Sequence, residues 1–228
     1  MRLCVIPARG GSKRIPRKNI KLFCGKPMIV WSIEAALQSD CFDQIVVSTD
    51  DAEIAEVARQ HGAQVPFMRP ASLSDDHTGT TAVIAHAIEW FAAQGQMPEQ
   101  VCCLYATAPF VTAADLQTGL QTLIDTGCDY AFSVTSYAFP IQRAIRITEA
   151  KRVEMFDPTH FSTRSQDLEE AYHDAGQFYW GRASAWQQGQ IIFGPNSVPV
   201  LLPRHRVQDI DTPEDWLRAE WLFKAMQA

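Results

Sequence analysis

Residues 1–26 read MRLCVIPARGGSKRIPRKNIKLFCGK, in which an apolar run over residues 3–8 leads into the glycine pair Gly10-Gly11. The stretch holds eight basic residues and no acidic one, whereas the other 202 residues hold 12 basic and 26 acidic residues. Glycine lets backbone N–H groups approach an oxygen atom closely, and Lys and Arg attract anions to the same loop. The pattern is typical of a phosphate-binding turn. A solvated surface loop is the alternative for a run of charges, but it does not account for the glycine pair.

Strand and helix patterns alternate along the chain that follows this loop. Short apolar runs predict strands at residues 3–8, 45–47, 65–68, 101–105, 130–134 and 198–202. Apolar spacing and capping residues predict helices from residue 27 to about 37, 51 to 62, 80 to 93, 112 to 127 and 212 to 226. Repeated β-α units of this kind favour a Rossmann-like α/β fold, a mostly parallel sheet with helices on both faces, in a single domain over residues 1–228. Ligands of such sheets bind at the carboxyl ends of the strands, where the basic loop also emerges.

The alternation stops at about residue 136. Residues 137–172 show alternating apolar and polar positions and no clear helix, which predicts a hairpin arm inserted in the domain. Because an exposed arm rich in Phe, Tyr and Ile needs cover, we expect it to pack on a second subunit as a dimerisation arm. The alternative is a hairpin folded on its own domain.

Composition excludes several classes of protein. A pI near 5.5 and the absence of a broad basic face argue against nucleic acid as a partner. The sequence has no apolar run long enough for a bilayer and no signal-peptide pattern at its start, so we expect no membrane partner and a cytoplasmic enzyme. Six cysteines without a Cys-x-x-Cys motif predict free thiols, and no His or Cys spacing indicates zinc.

Two carboxylates near the end of the chain suggest a metal site. Asp209 and Asp211 are two residues apart, so in an extended segment their side chains point to the same face. Mg²⁺ takes one or two carboxylates, several waters and substrate phosphates. The alternative is that Asp211 and Thr212 only cap the last helix, because residues 212–215 read TPED, a good N-cap sequence. A cap does not need Asp209.

The motifs together resemble those of the CMP-sugar synthetases, the cytidylyltransferases that act on sialic acid and its relatives. The resemblance extends over nearly the whole chain, through IPARGGSK at 6–13, KN at 18–19, GKPM at 25–28, STDD at 48–51, RP at 69–70, LSDD at 73–76 and DIDTPED at 209–215. It implies a fold of the nucleotide-diphospho-sugar transferase type. It also implies a reaction in which the anomeric hydroxyl of an acidic sugar attacks the α-phosphorus of CTP and pyrophosphate leaves.

The resemblance also implies roles for individual residues. Arg9 and Lys18 hold the phosphates and act in catalysis with Asp211, while Asp209 and Asp211 bind Mg²⁺ as the cofactor. The nucleotide contacts fall on Ala8, Arg9, Gly10, Gly11, Ser12, Lys13, Lys18, Asn19, Arg69, Thr78 and Thr80. No side chain stands out as a general base.

The sugar side departs from the sialic acid pattern. Residues 105–110 read YATAPF where sialic acid synthetases typically have QPTSP, and residues 173–180 read HDAGQFYW where they tend to have RPNGA. Both runs resemble the pseudaminic acid cytidylyltransferases, a bacterial branch whose nine-carbon substrate carries a methyl and acylamido groups in place of hydroxyls, which suits aromatic neighbours. The candidate sugar contacts are Tyr105, Gln177, Phe178, Tyr179, Arg143 and Arg164.

Several alternatives remain open from the sequence. Phe178 and its neighbours fit core packing as well as sugar contact, and Arg143 and Arg164 could pair on the arm surface instead of meeting the sugar carboxylate across a homodimer. The acid could be sialic, legionaminic or 3-deoxy-octulosonic acid. A nucleotide-binding regulatory module that lost catalysis is the alternative from a different class, which intact Arg9, Lys18, Asp209 and Asp211 argue against.

Overall fold

A six-stranded sheet forms the centre of the protein in the computed structural model, which describes residues 1–75 and 78–227. The described residues form ten strands, of which six belong to this sheet. They are β1 (Arg2–Pro7), β2 (Leu22–Phe23), β3 (Lys26–Pro27), β4 (Gln44–Ser48), β5 (Gln100–Leu104), β6 (Tyr130–Ser136), β7 (Ile145–Ile147), β8 (Val153–Met155), β9 (Tyr172–Arg182) and β10 (Ser197–Leu201). The sheet order is β10-β6-β9-β5-β1-β4. Strands β4, β1 and β5 are parallel, as are β6 and β10, which confirms the mostly parallel sheet.

Strand β9, the longest strand of the sheet, was not predicted from the sequence patterns. It runs antiparallel between β5 and β6 and joins the two parallel parts of the sheet. Its pairing with β6 shifts register between Phe132 and Val134, and Gly176 has a φ of 61°, which marks a β-bulge. The bulge interrupts the alternation of buried and exposed residues by which a strand is recognised in sequence.

Helices cover both faces of the sheet, as predicted. They are α1 (Met28–Ser39), α2 (Ala52–Gln60), α3 (Thr80–Ala93), α4 (Ala113–Thr126), α5 (Ala183–Gln187) and α6 (Pro213–Gln227). Asp51 caps α2 by accepting from two backbone N–H groups, and Thr112 with Asp115 forms a capping box on α4. Helix α4 ends at Gly127, whose left-handed backbone closes the last turn.

The two core layers follow from the alternation of side chains along β1. Cys4 and Ile6 pack with α1, α2 and α4 on one face, while Leu3 and Val5 pack with α3 and α5 on the other. A third cluster joins α6 to β2 and to Ile210. The predicted segment around Asp209 and Asp211 is therefore anchored to the domain by a buried neighbour, Ile210.

The strand predicted over residues 65–68 is not formed. Only an isolated bridge between Val46 and Gln64 is present there, and the chain then leaves the sheet toward Arg69. Pro66 has no N–H to donate to a strand ladder, which explains why the pairing stops.

The arm contains the predicted hairpin. Strands β7 and β8 pair antiparallel in a sheet of their own. Apolar side chains on the arm are exposed in the single chain, with Phe139 82%, Ile147 76% and Phe161 74% accessible. The hairpin therefore does not bury its apolar side chains on its own domain, and its role as a dimerisation arm stays a prediction.

Within the described residues, no helix is both long enough and apolar enough to cross a membrane. Asp76, which belongs to the LSDD match, lies outside the described residues.

Candidate active site

A cleft of about 540 Å³ opens at the carboxyl ends of β1 and β5, beside the start of α3. Most of the residues predicted from sequence line it. They are Arg9, Ser12, Lys13, Lys18, Asn19, Arg69, Thr78, Thr80, Tyr105 and Asp211. Residues as far apart in sequence as Arg9 and Asp211 thus meet in one place, as expected for ligand sites in α/β sheets.

The loop after β1 is shaped by its glycines and by the neighbouring acidic turn. Ala8 is buried and its N–H donates to the carbonyl of Ser48, and the N–H of Gly10 donates to Asp50 Oδ1 at 3.0 Å. A Cβ on Gly10 would lie 2.6 Å from Asp51 Oδ2, so only glycine fits there, whereas a Cβ on Gly11 would meet nothing within 4 Å. Gly10 therefore lets the loop pack on the turn before α2, and Gly11 borders open space.

Basic side chains of the loop reach the acidic end of the chain. Lys18 Nζ donates to the carbonyl of Ile210 at 2.8 Å and to Asp211 Oδ1 at 3.2 Å. Arg14 pairs with Asp211 Oδ2 at 2.7 Å. Both oxygens of Asp211 are therefore next to a cation. Arg14 was not singled out from sequence, although its place in the basic stretch was a signal for it.

The rest of the loop is held in place by hydrogen bonds. Asn19 Nδ2 donates to the carbonyl of Arg9 at 3.0 Å, and the guanidinium of Arg9 donates to the carbonyl of Asp75 at 3.1 Å. Arg17, whose φ is 57°, pairs with Asp51 and Glu53 of α2. These contacts place Asn19 as a support of the loop backbone as well as a lining residue.

Arg69 is the most buried cation of the cleft. Its side chain is 4% exposed, and its Nε and one terminal nitrogen have no hydrogen-bond partner among the described residues. Asp50 Oδ1 lies 3.7 Å from the guanidinium, and burial lowers the pKa of Arg69. Buried donors of a cation are normally paired, so Arg69 has donors available for a ligand acceptor in the cleft.

Of the two carboxylates predicted to bind metal, Asp211 lines the cleft and Asp209 does not. Loss of surrounding water raises the pKa of Asp209, and the charge of Asp211 raises it further. The cap of α6 is made by Thr212 and Asp215, whose side chains bond reciprocally, so the carboxylates of Asp209 and Asp211 are not used by the cap. The described residues contain no cluster of three or more His, Cys, Asp or Glu that could hold a metal. Two carboxylates with substrate phosphates and water nonetheless fit Mg²⁺.

Tyr105 lines the cleft, and two of the other proposed sugar contacts lie behind it. The hydroxyl of Tyr105 is 3.3 Å from Thr80 Oγ1, and its ring packs on Tyr179 with centroids 5.4 Å apart. Gln177 accepts from the Tyr105 N–H through its carbonyl, and its buried side chain donates to the carbonyl of Arg206 at 2.6 Å. Gln177 and Tyr179 therefore support the cleft wall.

Phe178 does not reach the cleft, which corrects its assignment as a sugar contact. Its side chain is fully buried in the core layer of α1 and α4, against Gly119 of α4. Alternation along β9 points Phe178 to the face opposite Gln177 and Tyr179. Core packing was the alternative reading of this residue and is the one that the structure supports.

The two arginines of the arm that were predicted to contact the sugar, Arg143 and Arg164, lie outside the cleft of their own chain. Arg164 forms two hydrogen bonds with Asp167, at 2.7 and 3.2 Å, and Arg143 is 3.5 Å from the hydroxyl of Ser165. Contact of Arg143 or Arg164 with a sugar carboxylate therefore requires the cleft of another copy.

Taken together, the site has a glycine loop at the end of a buried strand, several cations and the carboxylate of Asp211, with Asp209 two residues before it, at the carboxyl edge of a mostly parallel sheet. These features define an α/β nucleotidyltransferase.

The chain belongs to the cytidylyltransferase family, since the family model described as Cytidylyltransferase matches residues 3–189. It is 50% identical to a protein of Campylobacter jejuni named pseudaminic acid cytidylyltransferase, over 97% of this chain and 96% of that protein. It is 33% identical to the CMP-N,N'-diacetyllegionaminic acid synthase of Legionella pneumophila, over 99% and 97% of the two chains. These matches confirm the resemblance to CMP-sugar synthetases.

A solved structure confirms the fold. The chain superimposes on a CMP:2-keto-3-deoxy-manno-octonic acid synthetase complexed with CTP with a TM-score of 0.71, at 19% identity and over 99% of both chains.

Proposed function

We propose that this nucleotidyltransferase transfers CMP from CTP to pseudaminic acid, giving the CMP-sugar and pyrophosphate. The observation that supports this choice of acid is the 50% identity, over nearly the whole of both chains, with proteins named for that activity. The aromatic Tyr105 in the cleft agrees with it, because a substrate with a methyl and acylamido groups offers apolar surface to a ring.

The nucleotide half of the reaction falls to the glycine loop and Arg69. The sugar hydroxyl forms a new bond to the α-phosphorus while the bond to the bridging oxygen of the β-phosphate breaks, so negative charge develops on the departing pyrophosphate. Cations fixed in place before the reaction stabilise such charge without reorganisation. Arg9 and Lys18 are the proposed cations, and the two nitrogens of Arg69 that make no hydrogen bond to a described residue are proposed to bind the base or ribose.

Asp209 and Asp211 are proposed to hold Mg²⁺. When bound, this ion would neutralise phosphate charge and lower the pKa of the attacking hydroxyl. Two observations support a cation at these side chains. The pKa of Asp209 is raised partly by the charge of Asp211, and Asp211 already attracts the cations of Lys18 and Arg14. Titration of the protein with Mg²⁺ or Mn²⁺, followed by calorimetry in the presence of CTP, tests the assignment against the Asp209→Asn variant.

The arm is proposed to cover a second copy, as a homodimer. Its support is the apolar surface of residues 137–172, which includes the exposed Phe139, Ile147 and Phe161. In that arrangement Arg143 or Arg164 would meet the sugar carboxylate of the partner site. Sedimentation velocity at micromolar concentration is expected to show a dimer, and Phe161→Glu a monomer. A monomeric wild-type protein would contradict the proposal.

We also propose that the reaction takes place in the bacterial cytoplasm. All six cysteines are free thiols in the structure, which suits a reducing compartment.

An acid panel tests the proposed substrate directly. The protein is incubated with CTP, Mg²⁺ and pseudaminic, legionaminic, sialic or 3-deoxy-octulosonic acid, and pyrophosphate release is measured. Pseudaminic acid is expected to give the highest kcat/KM. Turnover of sialic acid without turnover of pseudaminic acid would overturn the proposed substrate, and CTP binding without turnover of any acid would favour a regulatory module.

A further inference from the structure

The basic loop after β1 is attached to one acidic turn at both of its ends. At its start, the N–H of Gly10 donates to Asp50 Oδ1 at 3.0 Å, and a Cβ on Gly10 would lie 2.6 Å from Asp51 Oδ2. At its end, the guanidinium of Arg17 donates to both oxygens of the same Asp51 carboxylate. Residues 11–16, four of which line the cleft, are therefore held on both sides by the turn before α2.

Asp51 is a fixed anchor for this attachment. Its Oδ1 accepts from the N–H groups of Glu53 and Ile54, both at 3.0 Å, as the cap of α2. Its side chain is 20% exposed, and the two-fold contact with Arg17 has the geometry in which a guanidinium binds a carboxylate most specifically. The hydrogen bond from Arg17 lowers the pKa of Asp51, so the carboxylate is charged at neutral pH.

The backbone of Arg17 has an uncommon conformation that decides where the next side chain points. Its φ of 57° lies in the left-handed region, which residues with a Cβ rarely adopt, and its carbonyl accepts from the N–H groups of Ile20 and Lys21 at 3.0 Å. The side chain of Arg17 reaches the start of α2, whereas that of Lys18 enters the cleft and meets Asp211 Oδ1 at 3.2 Å. A change of φ at Arg17 would therefore redirect Lys18.

We propose that Arg17 is a positioning residue of the basic loop, whose ion pair with Asp51 holds the left-handed turn that directs Lys18 into the cleft. This inference rests on the proposed function, in which Lys18 binds the triphosphate and stabilises the departing pyrophosphate. A cation that is fixed in advance needs no reorganisation when it meets this charge. Loss of the ion pair should therefore weaken binding of the β- and γ-phosphates and leave the rest of the nucleotide unaffected.

Two substitutions of Arg17 separate positioning from charge. Arg17→Gly and Arg17→Ala both remove one positive charge and the ion pair with Asp51. Glycine adopts the left-handed backbone without cost, whereas alanine does not. A role limited to charge predicts equal losses, and a positioning role predicts the larger loss for Arg17→Ala. Asp51→Asn weakens the ion pair from its other side, with position 17 unchanged and a side chain that still suits the cap of α2.

The test measures the Kd of CTP, of pyrophosphate and of CMP by calorimetry in the presence of Mg²⁺, together with the melting temperature. We expect Arg17→Ala to raise the Kd of CTP and of pyrophosphate by about tenfold or more, the size of one lost hydrogen bond to a charged group. The Kd of CMP should stay within twofold, because CMP lacks the β- and γ-phosphates. Arg17→Gly should give a smaller rise, and Asp51→Asn should raise the same two constants.

The control is Arg59→Ala, which removes one positive charge from an exposed position in the last turn of α2 and should leave all three constants unchanged. The inference is overturned if folded Arg17→Ala binds CTP within twofold of wild type, if Arg17→Gly loses as much as Arg17→Ala, or if CMP binding weakens equally. Should Arg17→Ala fail to fold, unchanged CTP binding by Asp51→Asn overturns it.

Failure of the proposed function would look different from failure of this inference. A wild-type protein that binds CTP and turns over no acid contradicts the proposed function alone, and the three binding constants then still test the role of Arg17. A wild-type protein that binds neither CTP nor pyrophosphate overturns both.

Discussion

Replacing Arg206 by methionine tests how the segment that carries Asp209 and Asp211 is held on the domain. Arg206 donates to both oxygens of Asp115 at the start of α4, at 2.6 and 2.9 Å. The side chains of this ion pair are only 17% and 10% exposed. The carbonyl of Arg206 also accepts from Gln177, so one residue ties the segment to both α4 and β9. Methionine keeps the apolar stem of arginine and removes only its charged group.

The structure sets the size of the expected loss. Removing one partner of a buried ion pair costs about 3–5 kcal/mol when the other charge is left without compensation. Asp115 keeps compensation, because the N–H and the hydroxyl of Thr112 both donate to its Oδ2, at 2.9 and 2.7 Å. A hydrogen bond to a charged group contributes about 1.5–3 kcal/mol, so we expect Arg206→Met to lower the free energy of unfolding by about 2–3 kcal/mol.

Urea denaturation followed by tryptophan fluorescence measures this loss, with an unchanged m value as the sign of an unchanged unfolded state. Arg204→Met is the matched control, because Arg204 is exposed and has one weak contact, 3.3 Å to the carbonyl of Tyr137, so its effect should stay within about 0.5 kcal/mol. The double variant Arg206→Met, Asp115→Asn should lose less stability than the sum of the losses of the two single variants. An Arg206→Met protein as stable as the control would refute the reasoning.

Three further predictions concern single positions. Asp211→Asn should lower kcat/KM by about 100-fold or more and leave the fold intact, because the cap of α6 belongs to Thr212 and Asp215; near-normal activity at saturating Mg²⁺ would contradict the metal assignment. Gly119→Ala should destabilise the protein by about 1–2 kcal/mol, since a Cβ there lies 2.6 Å from Trp180 and overpacking outweighs the gain in helix propensity of about 1 kcal/mol; thermal unfolding measures it. The pKa of Asp209 is higher in the folded protein than in the unfolded one. Its charged form therefore destabilises the fold at a pH above the folded-state pKa and has no effect at a pH below the unfolded-state pKa. Asp209→Asn should therefore stabilise the protein at neutral pH but not in acid, as urea denaturation at both pH values would show.

Local signals in the sequence predicted most of the fold. The limits of α3, the capping box of Thr112 and Asp115, and the terminal Gly127 all depend on neighbouring residues, so a sequence pattern contains them. Strand β9 was missed because its bulge breaks the alternation and because its place between β5 and β6 depends on pairing across the sheet. The predicted strand at 65–68 failed for a local reason, the missing N–H of Pro66.

The candidate site, like the fold, was predictable where its signals are local and not where they depend on contacts between distant residues. The basic loop was visible as a charge pattern, but its meeting with Asp211, 193 residues from Lys18, was expected only through the resemblance to a family. The pair of Asp115 and Arg206 has no sequence signal, because the two residues are 91 positions apart and each has an ordinary local role. Phe178 was misplaced because the register of β9, which decides the face of each side chain, was not known.

The contacts of Asp211 have a consequence for how nucleotide and metal depend on each other. Lys18 and Arg14 together occupy both oxygens of Asp211. If Lys18 holds the triphosphate as proposed, nucleotide binding draws that cation away from Asp211 and leaves two neighbouring carboxylates with less compensation. Loss of surrounding water and the charge of Asp211 already raise the pKa of Asp209, and the charges of Lys18 and Arg14 oppose that rise. Nucleotide should therefore increase the affinity of this site for a divalent cation, and by linkage the cation should increase the affinity for nucleotide by the same factor.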